Sequence, residues 1–193
     1  MESWRTIRNE SEYKVNIFFI DENPMQAAQW MVDKHVVKMI LESAQLLSTA
    51  HRILDGQEYT DKTKTGRNVK RWRLYDQREP VLYQATHINH PSAVWCRQSV
   101  SNYNWLADHM FALLSEYTYR YEKKHKIEGE ISYLLQSPPN NLKDWDWTEM
   151  PSAMDEQYKI SNDPLTNYRN YYKIGKERMH SWKKRKPPEW IYE

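Results

Sequence analysis

The stretch "WMVDKHVVKMILESAQLL" (Trp30–Leu47) decides how this chain is read. Val32, Val36, Met39 or Ile40, and Leu47 recur at helical spacing, and the same face continues through Ala50 and Leu54. A second line is just as regular. His35, Lys38, Glu42, Gln45, Thr49 and Arg52 follow one another at steps of 3, 4, 3, 4 and 3, which puts all six on one side of the helix. Asp33 and Lys34 stand beside the N-terminal end of that stripe. Upstream, "DENP" supplies a start: Asp21 or Asn23 can cap, and Pro24 suits the first helical position. The pattern predicts one helix from about Pro24 to Leu54. Its polar stripe has two readings. It is either an amphipathic face laced by pairs such as Lys38–Glu42, or a cleft-facing line that is buried at its N-terminal end and wetter toward Arg52.

Outward from this helix the chain reads as mainly α, a compact single-domain helical fold with at most one short strand. Residues 1–14 form a polar N-terminal extension, and 15–193 a single helical domain with a basic C-terminal segment. "VNIFFID" (Val15–Asp21) is β-branched and aromatic, the one candidate strand or packed extended run. "DGQEYTDKTKTG" (Asp55–Gly66) reads as a polar loop. "NHPSAVW" (Asn89–Trp95) opens a helix at Pro91 that Leu106, Met110, Leu113, Tyr117 and Tyr121 carry to about His125. "QSPPNNLKDWDW" (Gln136–Trp147) is a loop, and Asp163-Pro164 starts a last helix. No hairpin set and no internal repeat stands out.

Composition removes several classes of function. The chain has 193 residues, enough for one real core, and is 28% charged and 39% hydrophobic, so it is globular. With four glycines and no glycine-rich phosphate-loop pattern, a nucleotide-binding loop is not expected. The single cysteine, Cys96, rules out a disulfide framework or a multi-cysteine zinc site within the chain. The polar N-terminus is no signal peptide, and no apolar run reaches the length of a membrane span. A cytoplasmic protein without a cofactor is expected. Net charge is only +2, but Lys173–Lys186 carries seven basic residues against one acid, 7 − 1 = +6, and Lys62–Arg73 carries no acid. Nine Trp and fourteen Tyr accompany these runs, a combination suited to stacking on bases while holding phosphates.

Three clusters are candidates for chemistry. The first is Asp33, His35, Lys38 and Glu42, an acid–base–amine group within about two helical turns. The second, "THINHPSAVWCRQS", offers His87, His90 and Arg97 around a helix start, where His90 is equally a cap or packing residue and exposed amides suit phosphate. The third is "YRNYYKIGKERMHSWKKRKPPEW", with Tyr168, Arg169, Tyr171, Tyr172, Lys173, Lys176, Lys183, Lys184 and Arg185 as a stacking and phosphate-contact surface. Lys34, Arg52, Arg67, Lys70, Arg71 and Arg73 complete the expected phosphate contacts.

The segments "NIFFIDENPMQAAQWMVDKHVVKMILESAQLLSTAHR", "ATHINHPSAVWCRQSVSNYNWL" and "LSEYTYRYEKKHK" resemble a family of small phage and bacterial proteins, over most of Asn16–Trp190. More distantly, the layout is similar to the pyrimidine-dimer DNA glycosylases of the endonuclease V type. Those are compact all-α proteins with an acidic–basic cluster on an early helix and an aromatic-basic C-terminal segment like "YRNYYKIGK". In general character the chain also resembles the antiphage glycosylases that remove glucosylated hydroxymethylcytosine. The resemblance implies a metal-independent DNA N-glycosylase that flips a damaged or modified pyrimidine out of double-stranded DNA and leaves an abasic site. Asp33 would be the carboxylate, His35 or His90 would serve the leaving base, and Lys38 and Glu42 would assist. One departure stands out. The dimer glycosylases use the amine of the mature N-terminal residue, whereas fifteen residues precede Asn16 here. Two alternatives remain: a metal-dependent phosphohydrolase or nucleotide hydrolase using Asp33, His35, His87 and His90, and a non-catalytic nucleic-acid-binding module.

Overall fold

The computed structural model describes residues 15–193; the expected N-terminal extension lies outside them. The chain is mainly α. Its elements are α1 (Pro24–Trp30), α2 (Asp33–Asp55), β1 (Gln57–Lys62), β2 (Asn68–Arg73), α3 (Pro91–Cys96), α4 (Val100–Tyr121), α5 (Glu130–Leu134) and α6 (Pro164–Asn170). A π-helical turn, Tyr171–Gly175, continues α6. The two long helices pack on each other, and α1 packs on α4. Val36, Met39, Ile40, Leu47 and Ala50 from α2 meet a core that includes Tyr103, Leu106, Met110 and Leu113 from α4, all of them fully buried. Leu54 is only half-buried. No helix among the described residues is long and apolar enough to cross a membrane.

The single helix expected from Pro24 to Leu54 is two. Asn23 caps α1 by accepting from the amides of Met25 and Gln26, with Pro24 at the first position as expected. The helix then breaks at Met31–Val32, both extended. A helix end leaves carbonyls without intrahelical partners, and here distant side chains take them. Arg120 on α4 donates to Gln29 O at 2.8 Å and to Met31 O at 2.9 Å. Trp182 donates from Nε1 to Trp30 O at 2.8 Å. The Val32 amide donates to the Tyr172 hydroxyl. The break is therefore a product of tertiary contacts, and no glycine or proline at that point announces it.

The helix expected from Pro91 to His125 is interrupted in the same way. His90 caps α3 and Ser99 caps α4, while Asn102 donates from Nδ2 back to Trp95 O across the gap. The helix stops at Tyr121, where Glu122 takes a left-handed conformation and its amide closes on Thr118 O.

Strands appear where a loop was expected, while Val15–Asp21, read as a strand or a packed extended run, packs in the core from Val15 to Ile20 without forming a strand. Val15–Ile20 is irregular: Asn16 Oδ1 accepts from the amides of Ile17 and Phe18, and Phe18 sits at φ 55°. β1 and β2 form an antiparallel hairpin, with Gly66 at φ 81° in its turn. Both faces of the hairpin are mostly wet, so apolar alternation gives no sign of it. Cross-strand pairs hold it instead: Lys70–Glu58 at 2.8 Å, and the Arg73 guanidinium 4.7 Å over the Tyr59 ring.

Arg120 has no exposed side chain, and besides the two carbonyls it pairs with Glu116 and Asp33. Truncating a buried ion-pair partner leaves the opposite charge uncompensated. Arg120→Met is expected to lose about 3–5 kcal/mol of stability, read as a lowered urea midpoint. Lys70→Met, at an exposed ammonium whose partner Glu58 is also exposed, should cost less than about 1 kcal/mol.

Candidate functional site

The stripe on α2 is present as a line, but its partners differ along its length. In the middle, Glu42 is buried (5% exposed). Its Oε2 accepts from the Asn16 backbone N–H at 3.0 Å, and its Oε1 pairs with Lys38 Nζ at 2.8 Å. Lys38 itself stays largely in solvent. Asn16 is locked in turn, donating from Nδ2 to Ala153 O at 2.7 Å. The Asn16 turn and the left-handed Phe18 place the Phe18 ring 4.2 Å from the His35 ring, stacked. A non-glycine residue at positive φ costs about 1 kcal/mol or more and needs surrounding packing to hold it. Tyr171 stacks on Phe18 from another side at 5.9 Å, and the Lys176 ammonium lies 4.5 Å from the Tyr171 ring centre. The sum is a buried carboxylate paired with the Lys38 ammonium, on the same helix as His35, whose ring carries an aromatic stack bordered by the Lys176 ammonium.

His35 is buried, and its Nδ1 lies 2.9 Å from the Tyr172 hydroxyl. That hydroxyl accepts from Val32 N–H; if its own proton goes to Nδ1, the His35 proton sits on Nε2. Burial first, then the charges of Lys176 and Lys38, pull its pKa down to about 3. His35 is a neutral imidazole, not a protonated acid.

Asp33, expected as the working carboxylate, is fully engaged elsewhere. Ser181 Oγ donates to it at 2.6 Å, the Lys183 amide at 2.9 and 3.0 Å, and Arg120 at 2.9 Å. Burial alone would raise its pKa, but these donors outweigh it and hold the carboxyl below the ordinary range. Asp33 ties the C-terminal segment to the start of α2.

Arg52 reverses the expected wetness of the stripe. It is 0% exposed, pairs with Glu79, and donates to the carbonyls of Trp72, Glu79, Leu82 and Tyr83. It cannot meet a phosphate. One turn earlier, Thr49 Oγ1 accepts from the Thr86 amide and donates to Gln45 O, pinning the loop that carries His87. That loop is exposed at His87, which sits at φ 49° with Nδ1 3.0 Å from Thr86 Oγ1. His90 fills the capping role, its Nδ1 accepting from Ser92 N–H. Burial, and after it His87, lower its pKa. Half-buried Arg97 donates to Ala93 O.

The C-terminal cluster divides. Tyr168 and Tyr172 are core residues with 0% exposure: Tyr168 donates to Pro151 O, and Tyr172 braces α2. Neither can stack on a base. Arg169 donates to Ile20 O and Asp21 and lies between Trp30 and Trp190. Lys184 pairs with Glu122 and Arg185 with Glu116. Lys34 and Lys183 are exposed and Lys173 half-exposed near the N-terminal end of α2. Arg67, Lys70 and Arg73 are exposed, and Arg71 half-exposed, on the hairpin beyond its C-terminal end. Among the described residues no group of three or more His, Cys, Asp or Glu converges as metal ligands, so Asp33, His35, His87 and His90 do not form the set that the hydrolase alternative needs.

Asn16, Phe18, Glu116 and Arg120 were not singled out from sequence. Each acts through a partner far along the chain, and only the asparagine ahead of an apolar run hinted at a turn. No protein family, curated protein or solved structure matches the chain.

Burial holds His109 at a pKa of about 3; burial and then Arg78 hold His51 at about 4. With His35, three imidazoles stay neutral in the folded chain while their unfolded counterparts titrate near 6.5. The unfolded state binds more protons across this window, so stability is complete above about pH 6.5 and falls as pH drops toward 4. His109→Phe removes one of these groups, and neither ring nitrogen of His109 has a hydrogen-bond partner. A flatter fall in melting temperature between pH 6.5 and 4 than in the unaltered chain is expected. An unchanged slope would contradict the assignment.

Proposed function

We propose that this protein is a DNA N-glycosylase in which Glu42, rather than Asp33, is the working carboxylate. The observation that carries the reading is the buried Glu42 carboxylate, set on α2 between the Asn16 amide and the Lys38 ammonium. Breaking a sugar–base bond builds positive charge on the sugar, and a fixed carboxylate beside it stabilises that charge and orients the attacking water. The target nucleotide must first leave the stack, which costs a few kcal/mol (order of magnitude). Phe18 is buried, so the half-buried Tyr171 ring is the member of this aromatic group that offers stacking surface. With the Tyr172 proton on Nδ1, neutral His35 would present its Nε2–H to the leaving base.

Phosphate binding falls to Lys34, Lys38, Lys173, Lys176 and Lys183 at one end of α2 and to Arg67, Lys70, Arg71 and Arg73 on the hairpin at the other. From His35 to Arg52 the helix rises about 25 Å, a span suited to double-stranded DNA. The resemblance to the dimer glycosylases supports the same chemistry, with one difference. The nitrogen beside Glu42 belongs to a peptide bond in this chain, and a peptide nitrogen is no nucleophile. Hydrolysis to an abasic site is therefore favoured over a covalent, strand-nicking route. Damaged and modified pyrimidines, including glucosylated hydroxymethylcytosine, are the substrate class, in repair or phage defence.

A second reading rests on the same carboxylate. Both Glu42 oxygens have protein partners, as they would if Glu42 only anchored the 15–20 segment of a non-catalytic DNA-binding module. One experiment separates the two. Abasic-site formation is measured in EDTA on unmodified, ultraviolet-irradiated and glucosylated phage DNA. Activity on one substrate is expected, with Glu42→Gln reducing it by roughly 10²-fold or more while salt-dependent binding persists. Asp33→Asn should lower the melting temperature and leave the rate per folded molecule within a few-fold. Binding without abasic sites on any substrate would favour the module. Affinity indifferent to salt would overturn both readings.

A further inference from the structure

Apart from the α2 stripe, a cavity of about 490 Å³ is walled by Phe19, Trp105 and Trp147 and bordered by Glu22, Glu149 and Asp163. Among the described residues no lysine or arginine lines it. The three rings are close and mutually inclined: Phe19 to Trp105 is 5.1 Å at 59°, and Phe19 to Trp147 is 6.2 Å at 36°. The polar edge of Trp105 does not compete for a ligand. Trp105 Nε1 donates to Glu22 O at 2.6 Å, so the ring fixes the backbone of one bordering carboxylate. Behind the wall, Trp95 packs edge-on against Trp147 at 5.3 Å and donates from Nε1 to Thr148 O, bracing the segment between Trp147 and Glu149.

Trp147 stays 46% exposed, a large ring held open to solvent. Glu22 and Glu149 are exposed and have no ion-pair partner among the described residues. Asp163 caps α6, accepting from Leu165 and Thr166, and these bonds, the Thr166 hydroxyl foremost, keep it ionised. His109, stacked on Trp105 at 5.1 Å, is held neutral by burial, so no cation already occupies that indole from behind.

We propose that this cavity binds an organic ammonium group, held by the exposed Trp147 ring with the largely buried Phe19 and Trp105 rings in the wall beside it, and neutralised by Glu22, Glu149 and Asp163. Aromatic faces attract a cation within about 6 Å of the ring centre, and rings this close together can share one. Two other ligand chemistries fit less well. A nucleotide would bring its phosphate against three carboxylates. A neutral apolar ligand would leave them without a role. The ammonium group can come from a free amine or from a lysine side chain of another protein. The proposal stands independently of the DNA reading, because it uses none of the residues assigned there.

The test is calorimetric titration of the full chain with choline, against 3,3-dimethyl-1-butanol, which has the same shape without the charge. Saturable choline binding that weakens with added salt, with little binding of the alcohol, is the expected result. Trp147→Ala should weaken it by about tenfold, and Glu149→Gln, an exposed change that leaves the core alone, by a few-fold. Putrescine and N-acetyl-trimethyl-lysine amide distinguish the sources: tighter binding of the diamine indicates a free amine, and tighter binding of the lysine derivative a protein side chain. Equal binding of the alcohol, no saturable heat with any of the cations, or full affinity in both variants would overturn the proposal.

Discussion

The Arg120 guanidinium lies with no solvent exposure at the place where α1 ends, α2 begins and α4 passes beneath both. It donates to Gln29 O and Met31 O and pairs with Asp33 and Glu116. Those two acids then hold the C-terminal segment, Asp33 through Ser181 and the Lys183 amide, and Glu116 through Arg185. A guanidinium suits this position because its planar fork can satisfy several acceptors at once and does not shed its proton on burial. Taking a charge out of water is costly unless its hydrogen bonds are made. The elements around Arg120 are thus obliged to keep their positions.

Arg52 does the corresponding work at the other end of α2, gathering the carbonyls of Trp72, Glu79, Leu82 and Tyr83. With both ends clasped, α2 is a rigid platform, and the residues between the clasps can be held to close tolerance. That matters for Glu42. Under the proposed glycosylase reading, a carboxylate that meets charge as it develops on a sugar must already be oriented, since reorganisation at that moment would forfeit much of its benefit. The Asn16 amide and Lys38 provide that orientation, and the strained Phe18 and its ring neighbours close the surroundings.

Charge is distributed unevenly. Lysines and arginines gather near the two ends of α2, while Glu22, Glu149 and Asp163 surround the Phe19–Trp105–Trp147 cavity. A net charge of +2 conceals this arrangement. A polyanion would be drawn to the first region and repelled from the second, so one small chain presents two surfaces with opposite preferences.

The amino-acid sequence alone determined the long helices. Periodic apolar positions in α2 and α4, Asn23-Pro24 and Asp163-Pro164 as starts, and the stripe that contains Glu42 are all local signals carried within one or two helical turns. Tertiary structure decided the rest, because the deciding partners are remote. The break at Met31–Val32 depends on Arg120, Tyr172 and Trp182. The hairpin has no apolar face to betray it and is held by cross-strand pairs. Within the stripe itself, spacing aligned Asp33's neighbourhood, Glu42 and Arg52 but could not rank them. Arg52 was consigned to the interior by four carbonyls from residues 72–83, Asp33 to a structural role by Ser181, Lys183 and Arg120, and Glu42 to the Asn16 amide 26 positions away. Helical periodicity fixes which side chains share a face; what that face meets is set by chain segments that the periodicity does not contain.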